Sequence, residues 1–243
     1  SLTLFFIYNQ LIFMKEKILV ICAHPDDEVL GCGGTLKKLS KLKKNIRVIS
    51  LAEGSSCRYK NHNKYKKQIN KSILQRKNWG KKALADLGIK NYHFYDLPCG
   101  KLNSYPITKI AGIVEEEILK FKPQVIFTHS NNDVNMDHRT VYQSCLQATR
   151  PTKSSSKITG LLSFEILSST EWKYNKIFEP NYFINIEKEI KFKTKALKRY
   201  KTEIKAFPHP RSTEGINSLA KYRGMQSHNV YAEAFKIVRL YSE

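Results

Sequence analysis

Apolar runs alternate with amphipathic stretches up to about residue 150 of the chain. Residues 18–23 (ILVICA) are continuously apolar, a pattern typical of a strand buried on both faces of a parallel sheet. Residues 29–44 then repeat leucines at helical spacing between lysines, which predicts an amphipathic helix. The same alternation predicts further strands at 47–51, 92–95 and 124–128 and further helices at 69–87, 107–121 and 138–149. We therefore expect an α/β fold with a mostly parallel sheet covered by helices on both faces.

The pattern becomes less regular after Pro151. It predicts strands at 161–167, 182–186 and 233–240, and helices at 188–207 and 212–223, the first of them long and rich in lysine. No linker rich in proline, glycine or serine interrupts the chain, and no repeat divides it. We therefore expect residues 14–243 to form a single domain whose C-terminal part elaborates the sheet.

The first thirteen residues are strongly apolar and carry no charge. They are shorter than a membrane span, and they lack the basic start and the small-residue cleavage site of a signal peptide. We expect residues 1–13 to be an N-terminal extension ahead of Met14, with a short membrane-surface anchor as the alternative. No integral membrane span is predicted.

The chain is strongly basic, with 42 lysines and arginines against 21 acidic residues and a net charge of +21. Such a charge is compatible with nucleic-acid binding. However, 33 of the basic residues are lysine and only 9 are arginine, the residue that base-edge and phosphate contacts favour. Because 41% of the residues are hydrophobic, the composition excludes a disordered polycation. We interpret the charge mainly as lysine bias on solvated surfaces and predict no nucleic-acid partner.

Five cysteines are scattered singly, without a Cys-x-x-Cys pair. This spacing argues against a disulfide framework and against a zinc ion held by cysteines. We expect mostly buried thiols in a reducing compartment, with Cys57, in a loop, as the exception to burial. We therefore predict a cytoplasmic protein.

Two polar clusters follow the first and fourth predicted strands. They are residues 24–28 (HPDDE), with a glycine-rich run at 31–34, and residues 129–138 (HSNNDVNMDH). The carboxyl ends of parallel strands meet at one edge of a sheet, so both clusters can face one crevice. Two imidazoles and one carboxylate leave a position open on zinc for water, and a second carboxylate can take a proton from that water. Each cluster alone is commonly a turn or a helix cap, but together they indicate a hydrolytic metal site.

Residues 23–36 (AHPDDEVLGCGGTL) and 133–141 (DVNMDHRTV) resemble the motifs of the LmbE-like/PIG-L family of zinc-dependent N-deacetylases. Weaker matches extend the resemblance over most of the chain from Met14, and they lie at 53–58, 76, 208–212, 222–224 and 232–235. The resemblance implies a Rossmann-like, three-layer α/β sandwich. It also implies an enzyme that uses Zn²⁺ to remove the acetyl group from an N-acetylated amino sugar or sugar conjugate, in bacterial glycan or modified-sugar biosynthesis.

The family's functional residues carry over onto matching positions of this sequence. The zinc ligands implied by the resemblance are His24, Asp27 and His138. The resemblance makes Asp26 the general base. It places Asp137 next to the last ligand, where its carboxylate would orient a neighbour, and it gives Arg76 a contact with the substrate.

Two positions depart from the family pattern. Many relatives have a histidine where this chain has Asn135, and an asparagine can donate a hydrogen bond to an oxyanion but cannot carry a proton. We therefore hypothesise that Asp26 acts as both base and acid, with His129, also a candidate for substrate contact, as the competing acid. Trp79 stands where relatives often have an acidic residue, which leaves the orientation of Arg76 open.

The segment between Glu53 and Asp86 contains ten basic residues and no acidic one. Because this segment starts at the predicted site, it favours an anionic substrate, such as a nucleotide-linked or lipid-phosphate-linked amino sugar. A solvated basic helix face is the alternative. Arg58 and Arg211 are predicted to bind the phosphate or carboxylate of such a substrate.

Other functions stay open at this point. They are an amidase acting on another small N-acyl substrate, a metal-dependent hydrolase of a phosphoester, a non-catalytic sugar binder and a basic nucleic-acid-binding protein. Phosphoester sites often use two metal ions, whereas the motifs supply ligands for one. The oligomeric state is not predicted.

Overall fold

The computed structural model describes residues 15–151 and 158–241, so the predicted extension at 1–13 lies outside the described residues. Within these ranges the strands are β1 Lys17–Cys22, β2 Asn45–Ala52, β3 Asn91–Leu97, β4 Val125–His129, β5 Gly160–Phe164, β6 Tyr182–Asn185 and β7 Ala232–Leu240. The α-helices are α1 Asp27–Lys41, α2 Lys66–Leu87, α3 Ile107–Phe121, α4 Met136–Ala148, α5 Ile190–Leu197 and α6 Thr213–Met225. Within the described ranges, no helix combines the length and the hydropathy that a membrane span requires.

The seven strands form one sheet in the order β3-β2-β1-β4-β5-β7-β6. The strands from β3 to β5 are all parallel, whereas β7 runs antiparallel to both β5 and β6. The predicted mostly parallel sheet is therefore confirmed, and the C-terminal elaboration is its antiparallel edge. The strand order reverses between β1 and β4, which is where open α/β sheets bind their ligands.

The sheet separates two hydrophobic cores, and β1 contributes to both. Ile18 and Val20 pack into one core with α1, α2, α5 and α6, while Leu19 and Ile21 pack into the other with α3 and α4. All four side chains are fully buried. This alternation explains why the sequence of β1 is continuously apolar, because a strand covered on both faces has no solvent side.

Glycines bring α1 against the sheet. A Cβ atom on Gly31 would overlap the ring of Phe164 in β5, and one on Gly34 would lie 2.8 Å from Cδ1 of Ile186. Only the absence of a side chain allows this close approach. The helix therefore starts directly above the carboxyl end of β1, which fixes the position of Asp27.

The predicted helix 188–207 is wrong in its second half. Helix α5 ends at Leu197, and the chain continues in turns. In these turns two side chains are buried: Tyr200 is 0% exposed and Glu203 is 5% exposed. The lysines of the predicted range, at positions 188, 191, 193, 195, 198, 201 and 205, follow no single helical face, so their spacing did not indicate where the helix ends.

Candidate active site

The two polar clusters predicted from the sequence lie side by side. The first follows β1 and the second follows β4, and these strands are hydrogen-bonded neighbours at the centre of the sheet. The backbone N–H of Ala23 donates to Nε2 of His129 at 2.8 Å, which joins the clusters directly. Both clusters therefore lie at the carboxyl edge of the sheet, where the strand order reverses.

The three predicted metal ligands face one another. Nδ1 of His24 lies 3.4 Å from Oδ2 of Asp27, and Nε2 of His138 lies 3.6 Å from the same oxygen. One ligand atom from each of the three buried side chains lies within 4.8 Å of the others. Nε2 of His138 and Oδ1 of Asp27 are buried without a hydrogen-bond partner. Such atoms are costly to bury unpaired, and a bound cation would satisfy both.

Asp137 orients the first of these histidines. Its Oδ2 lies 2.9 Å from Nε2 of His24, which leaves Nδ1 as the nitrogen that faces Asp27. Asp137 is itself held by the backbone N–H groups of Gly100, at 2.6 Å, and Leu102, at 3.0 Å. This arrangement is typical of metal-binding histidines, whose second nitrogen donates to a carboxylate. The orienting role of Asp137 stays a prediction, and its contact with His24 is the geometry that this role requires.

Asp133 orients His138 in the same way. Its Oδ2 lies 3.0 Å from Nδ1 of His138 and accepts a hydrogen bond from Thr170 at 2.9 Å. Its Oδ1 accepts from the backbone N–H of Asn135 at 2.7 Å and from the hydroxyl of Ser169. These donors, together with His138, hold the pKa of Asp133 below its ordinary value although burial opposes this.

Asp26 lies beside the ligand cluster with an unusual backbone. Its φ of 124° falls in a region that side chains rarely adopt. Its Oδ1 lies 2.9 Å from the guanidinium of Arg76 and its Oδ2 lies 3.0 Å from that of Arg211. Burial raises the pKa of Asp26 above its ordinary value, and the two arginines only partly offset this effect.

Two buried side chains hold the backbone of Asp26. Oε2 of Glu28 accepts the N–H of Asp26 at 3.0 Å, and the hydroxyl of Tyr200 donates to Oε1 of Glu28 at 2.6 Å. Tyr200 comes from the turns after α5. The irregular C-terminal segment therefore contributes directly to the geometry of the candidate base.

The three predicted substrate-binding arginines converge on one buried acid, Glu203. Its carboxylate lies 2.7 Å from Arg58, 2.8 Å from Arg76 and 3.3 Å from Arg211. Burial raises the pKa of Glu203, but the charges of Arg76 and Arg58 and the hydroxyl of Thr202 outweigh it and lower this pKa to about 2. Arg76 is buried and Arg211 largely so, whereas the side chain of Arg58 is half-exposed. Arg58 is therefore the arginine of this cluster most open to a substrate.

His129 is fully buried beneath the ligands. Its ring stacks on that of His138 with centroids 4.0 Å apart, and its Nε2 accepts the hydrogen bond from Ala23. Burial and the neighbouring His138 lower the pKa of His129 to about 4, so the ring is neutral near pH 7. This placement disfavours the predicted contact of His129 with substrate and its alternative role as a proton donor.

Asn135 forms the N-cap of α4. Its Oδ1 accepts the backbone N–H of Asp137 at 2.9 Å, which stabilises the first turn of the helix. The side-chain amide NH₂ group stays as the donor for an oxyanion. The oxyanion role of Asn135 is therefore still a prediction.

A second set of potential metal ligands in the described residues comprises His24, Cys99 and Asp137. In this set the facing atoms of His24 and Asp137 are already hydrogen-bonded to each other. The first set instead contains unpartnered atoms, so its donors fit a cation better.

The sequence reasoning missed Asp133 and Glu203. Asp133 is the first residue of the motif at 133–141. The signal that could have identified it is an acidic residue five positions before a candidate ligand, His138. Glu203 is the only acidic residue between Glu189 and Glu214, in a segment rich in lysine and arginine. An isolated acid of this kind is a weak signal, because its arginine partners are distant in sequence.

The sequence and fold match known proteins over most of the chain. A family model described as "PIG-L: GlcNAc-PI de-N-acetylase" matches residues 19–149. A diacetylchitobiose deacetylase from Thermococcus kodakarensis is 23% identical over 231 residues, which cover 92% of this chain and 83% of that protein. The chain therefore belongs to the PIG-L family of deacetylases. The resemblance read from its motifs and its assignment to a class of enzymes are confirmed.

Solved structures share the fold at low sequence identity. The N,N'-diacetylchitobiose deacetylase from Pyrococcus horikoshii, in complex with an inhibitor, superposes with a TM-score of 0.74 at 17% identity, covering 95% of this chain and 86% of that one. The 4-carboxy-2-hydroxymuconate hydratase from Pseudomonas putida KT2440 superposes with a TM-score of 0.71 at 20% identity, covering 93% and 98%. A deacetylase and a hydratase share this architecture, so the fold alone does not select the reaction.

Proposed function

We propose that this protein is a zinc-dependent hydrolase that removes the acetyl group from an N-acetylated amino sugar or sugar conjugate. The observation that supports it most is the buried group of His24, Asp27 and His138, which includes unpartnered donor atoms and lies beside Asp26. Two imidazoles and one carboxylate form a donor set that suits zinc and leaves a position for water. Membership of the PIG-L family and the name of the Thermococcus relative support the acetylated sugar.

The chain's own residues divide the reaction between them. Zinc in this site would supply a Lewis acid and lower the pKa of a water molecule. Asp26 would take the proton of that water as it attacks the acetamide carbonyl carbon. The amide NH₂ group of Asn135 would donate to the oxyanion. Arg76 and Arg211 hold both oxygens of Asp26, so its carboxylate keeps one orientation during the attack.

The proton that Asp26 accepts from water would be used again in the second step of the proposed reaction. When the C–N bond breaks, the leaving nitrogen needs a proton, and Asp26 would return the one it accepted. This yields acetate and the free amine of the sugar. Asn135 cannot carry a proton, and His129 is neutral and buried. A single carboxylate therefore serves both steps of this proposal.

The substrate proposal includes an anionic carrier, a nucleotide or a lipid phosphate. Three arginines surround two carboxylates in this cluster, Asp26 and Glu203, which leaves an excess of one positive charge. The half-exposed Arg58 places this positive charge at the surface. Arg76 and Arg211 are engaged internally, so they serve the orientation of Asp26 more than recognition of the carrier. A cytoplasmic role in bacterial glycan or modified-sugar biosynthesis completes the proposal, supported by the motif resemblance and by free thiols at all five cysteines.

The proposal is tested with purified protein, stripped of metal and then supplied with zinc, and a panel of N-acetyl sugars, free and nucleotide-linked. We expect acetate release that disappears on chelation and returns with zinc. His138→Ala should abolish both zinc binding and acetate release, because it removes one of three ligands. His62→Ala, at a histidine outside the site, is the matched control. Full activity in the metal-free protein would refute the metal role, and the absence of acetate from every substrate would refute the deacetylase.

A further inference from the structure

Two cysteine thiols meet beside the candidate metal site. Cys57 lies in a short 3₁₀ turn after β2 and is exposed, and Cys99 follows β3 and is buried. Their Sγ atoms are 2.8 Å apart, whereas the bond of a disulfide is about 2.0 Å long. Since β2 and β3 are parallel neighbours, their carboxyl ends bring the two thiols to the same edge as the metal ligands. The proposed reaction uses neither thiol.

One buried carboxylate holds the two cysteine-bearing loops together. Glu53 accepts the backbone N–H groups of Ser55 at 2.6 Å and Ser56 at 3.0 Å in the first loop. It also accepts the N–H of Cys99 at 2.9 Å in the second loop. Glu53 therefore keeps the two loops next to each other, and little chain entropy is lost when the thiols are joined.

The second loop also supports the metal site. Gly100, next to Cys99, donates its N–H to Oδ2 of Asp137 at 2.6 Å, and the same oxygen lies 2.9 Å from Nε2 of His24. Sγ of Cys99 itself lies within 4.8 Å of ligand atoms of both Asp137 and His24. Gly100 and Asp137 therefore connect Cys99 to His24 through two hydrogen bonds.

We propose that Cys57 and Cys99 form a reversible redox pair that controls the metal affinity of the site. A small-molecule disulfide is the oxidant. The Cys57 thiolate attacks one of its sulfurs and expels a thiolate, which forms a mixed disulfide. Cys99 then attacks Sγ of Cys57 and expels the second thiolate. The small disulfide gains two electrons, and the two protons lost from the cysteines end on the two released thiols.

Closing the Sγ–Sγ distance moves the loop at Cys99 and Gly100 and so disturbs the hydrogen bond to Asp137. Asp137 is the partner of the candidate ligand His24, and changes to such partners weaken metal binding about 10- to 100-fold. The oxidised protein should therefore bind zinc about tenfold more weakly than the reduced one. This second step rests on the proposed metal function, whereas disulfide formation does not.

The test incubates the full chain in buffers of glutathione and glutathione disulfide. Mass spectrometry of the digest should show one peptide pair joined through Cys57 and Cys99, lost again on reduction. Zinc affinity, measured against a competing chelator, should fall about tenfold on oxidation and recover on reduction. Cys57→Ser should abolish both effects, and Cys145→Ser, at a thiol in the core behind β4, should abolish neither.

The possible results test disulfide formation and its effect on zinc binding separately. A protein that forms only mixed glutathione disulfides, at Cys57 or elsewhere, would overturn the redox pair. A Cys57–Cys99 bond that leaves zinc affinity unchanged would overturn the coupling to the metal site. If neither form binds zinc but the bond forms, the metal function fails and the cysteine pair stands.

Discussion

At the scale of single residues, Asp26 joins a strained backbone to a buried carboxylate. A non-glycine residue at φ 124° costs on the order of 1–3 kcal/mol, and its neighbours must hold it there. Glu28 holds the backbone, while Arg76 and Arg211 hold the two carboxylate oxygens. Stored strain of this kind is characteristic of catalytic positions.

Asp26→Asn should lower kcat about 10²- to 10⁴-fold, the range for loss of a general base. The amide keeps the size of the side chain, so zinc affinity should stay within about twofold of the wild type. Kinetics and a zinc titration check both expectations. His129→Gln should cost much less activity, because His129 supports the ligands and carries no proton in the reaction. An equal loss in the two variants would contradict the scheme in which one carboxylate serves as base and acid.

The environment of Asp26 also predicts a pH dependence. A general base works when ionised, so kcat/KM should fall as the pH drops through the pKa of Asp26. Burial raises this pKa, which places the decline at higher pH than for an ordinary aspartate. Arg211→Met removes a charge that lowers the pKa, so the decline should move further up in pH.

Arg58→Met is the matched control for this shift. Arg58 pairs with Glu203 and makes no contact with Asp26, so the pH profile of this variant should follow the wild type. A shift of equal size in both variants would mean that general surface charge, and not the contact with Asp26, sets the profile.

At the scale of elements, an ion pair joins α3 to the start of β2. Arg47 donates to both oxygens of Glu117 at 2.6 and 2.9 Å, and the hydroxyl of Tyr95 donates to Oε1 at 2.7 Å. Burial raises the pKa of Glu117, but Arg47 and Tyr95 outweigh it and the net shift is downward. The pair therefore stabilises the fold above the ordinary pKa of a glutamate, and the contribution is lost as the pH falls through the lowered value.

Glu117→Gln should lower the free energy of unfolding at pH 7 by about 1.5–3 kcal/mol, typical of hydrogen bonds to charged groups. The difference from wild type should shrink below about pH 4, where Glu117 is protonated in the unfolded chain and then in the folded one. Denaturant unfolding at several pH values measures this difference in the free energy of unfolding. Glu116→Gln in the same helix removes a solvent-exposed pair with Lys120 and should change stability by less than about 0.5 kcal/mol. Equal effects in both variants would assign the loss to helix charge in general.

The central elements could be predicted because burial on both faces leaves an unambiguous pattern. Strand β1 and helix α3 match their apolar spacing, and the motifs at 23–36 and 133–141 bring the candidate ligands together. The end of α5 could not be predicted in this way. Lysines are compatible with a helix or a turn, and Lys193 is in fact buried against Glu233 at 2.6 Å.

The parts of the site that could not be predicted from the sequence are formed by residues far apart in the chain. Tyr200 supports Glu28, and Glu203 binds three arginines from segments up to about 145 residues away. No local pattern distinguishes a glutamate that will be buried among arginines from one on a surface. Asp133 was easier to identify from the sequence, since it lies inside the second motif. Its role nevertheless depends on Ser169 and Thr170 from a different loop.

At the scale of the whole molecule, arginine and lysine side chains contribute differently to the large positive charge. In the part of the chain that the structure describes, six arginines pair with carboxylates: Arg47, Arg58, Arg76, Arg199, Arg211 and Arg223. The exposed surplus is therefore mostly lysine. Such a distribution favours long-range attraction of anions over the forked contacts that read nucleic-acid bases.

If this surplus draws an anionic sugar conjugate to the site, the exposed lysines at the start of α2 should matter most. Helix α2 begins next to the loop that carries Arg58, on the active-site edge of the sheet. Replacing Lys66 and Lys67 by glutamine should lower kcat/KM for a nucleotide-linked sugar about two- to fivefold at low salt, with kcat unchanged. The effect should fade near physiological salt, where the screening length is about 8 Å. For the free neutral sugar, the same variant should behave as wild type.

Lys90 and Lys120 provide the matched control, because both are exposed and lie at the opposite edge of the sheet, near the start of β3 and the end of α3. Their replacement by glutamine removes the same charge from the molecule and should leave kcat/KM unchanged. Equal losses in the two double variants would show that net charge alone attracts the substrate. No loss in either would leave Arg58 as the anchor of the carrier, and Arg58→Met should then raise KM for the nucleotide-linked sugar but not for the free one.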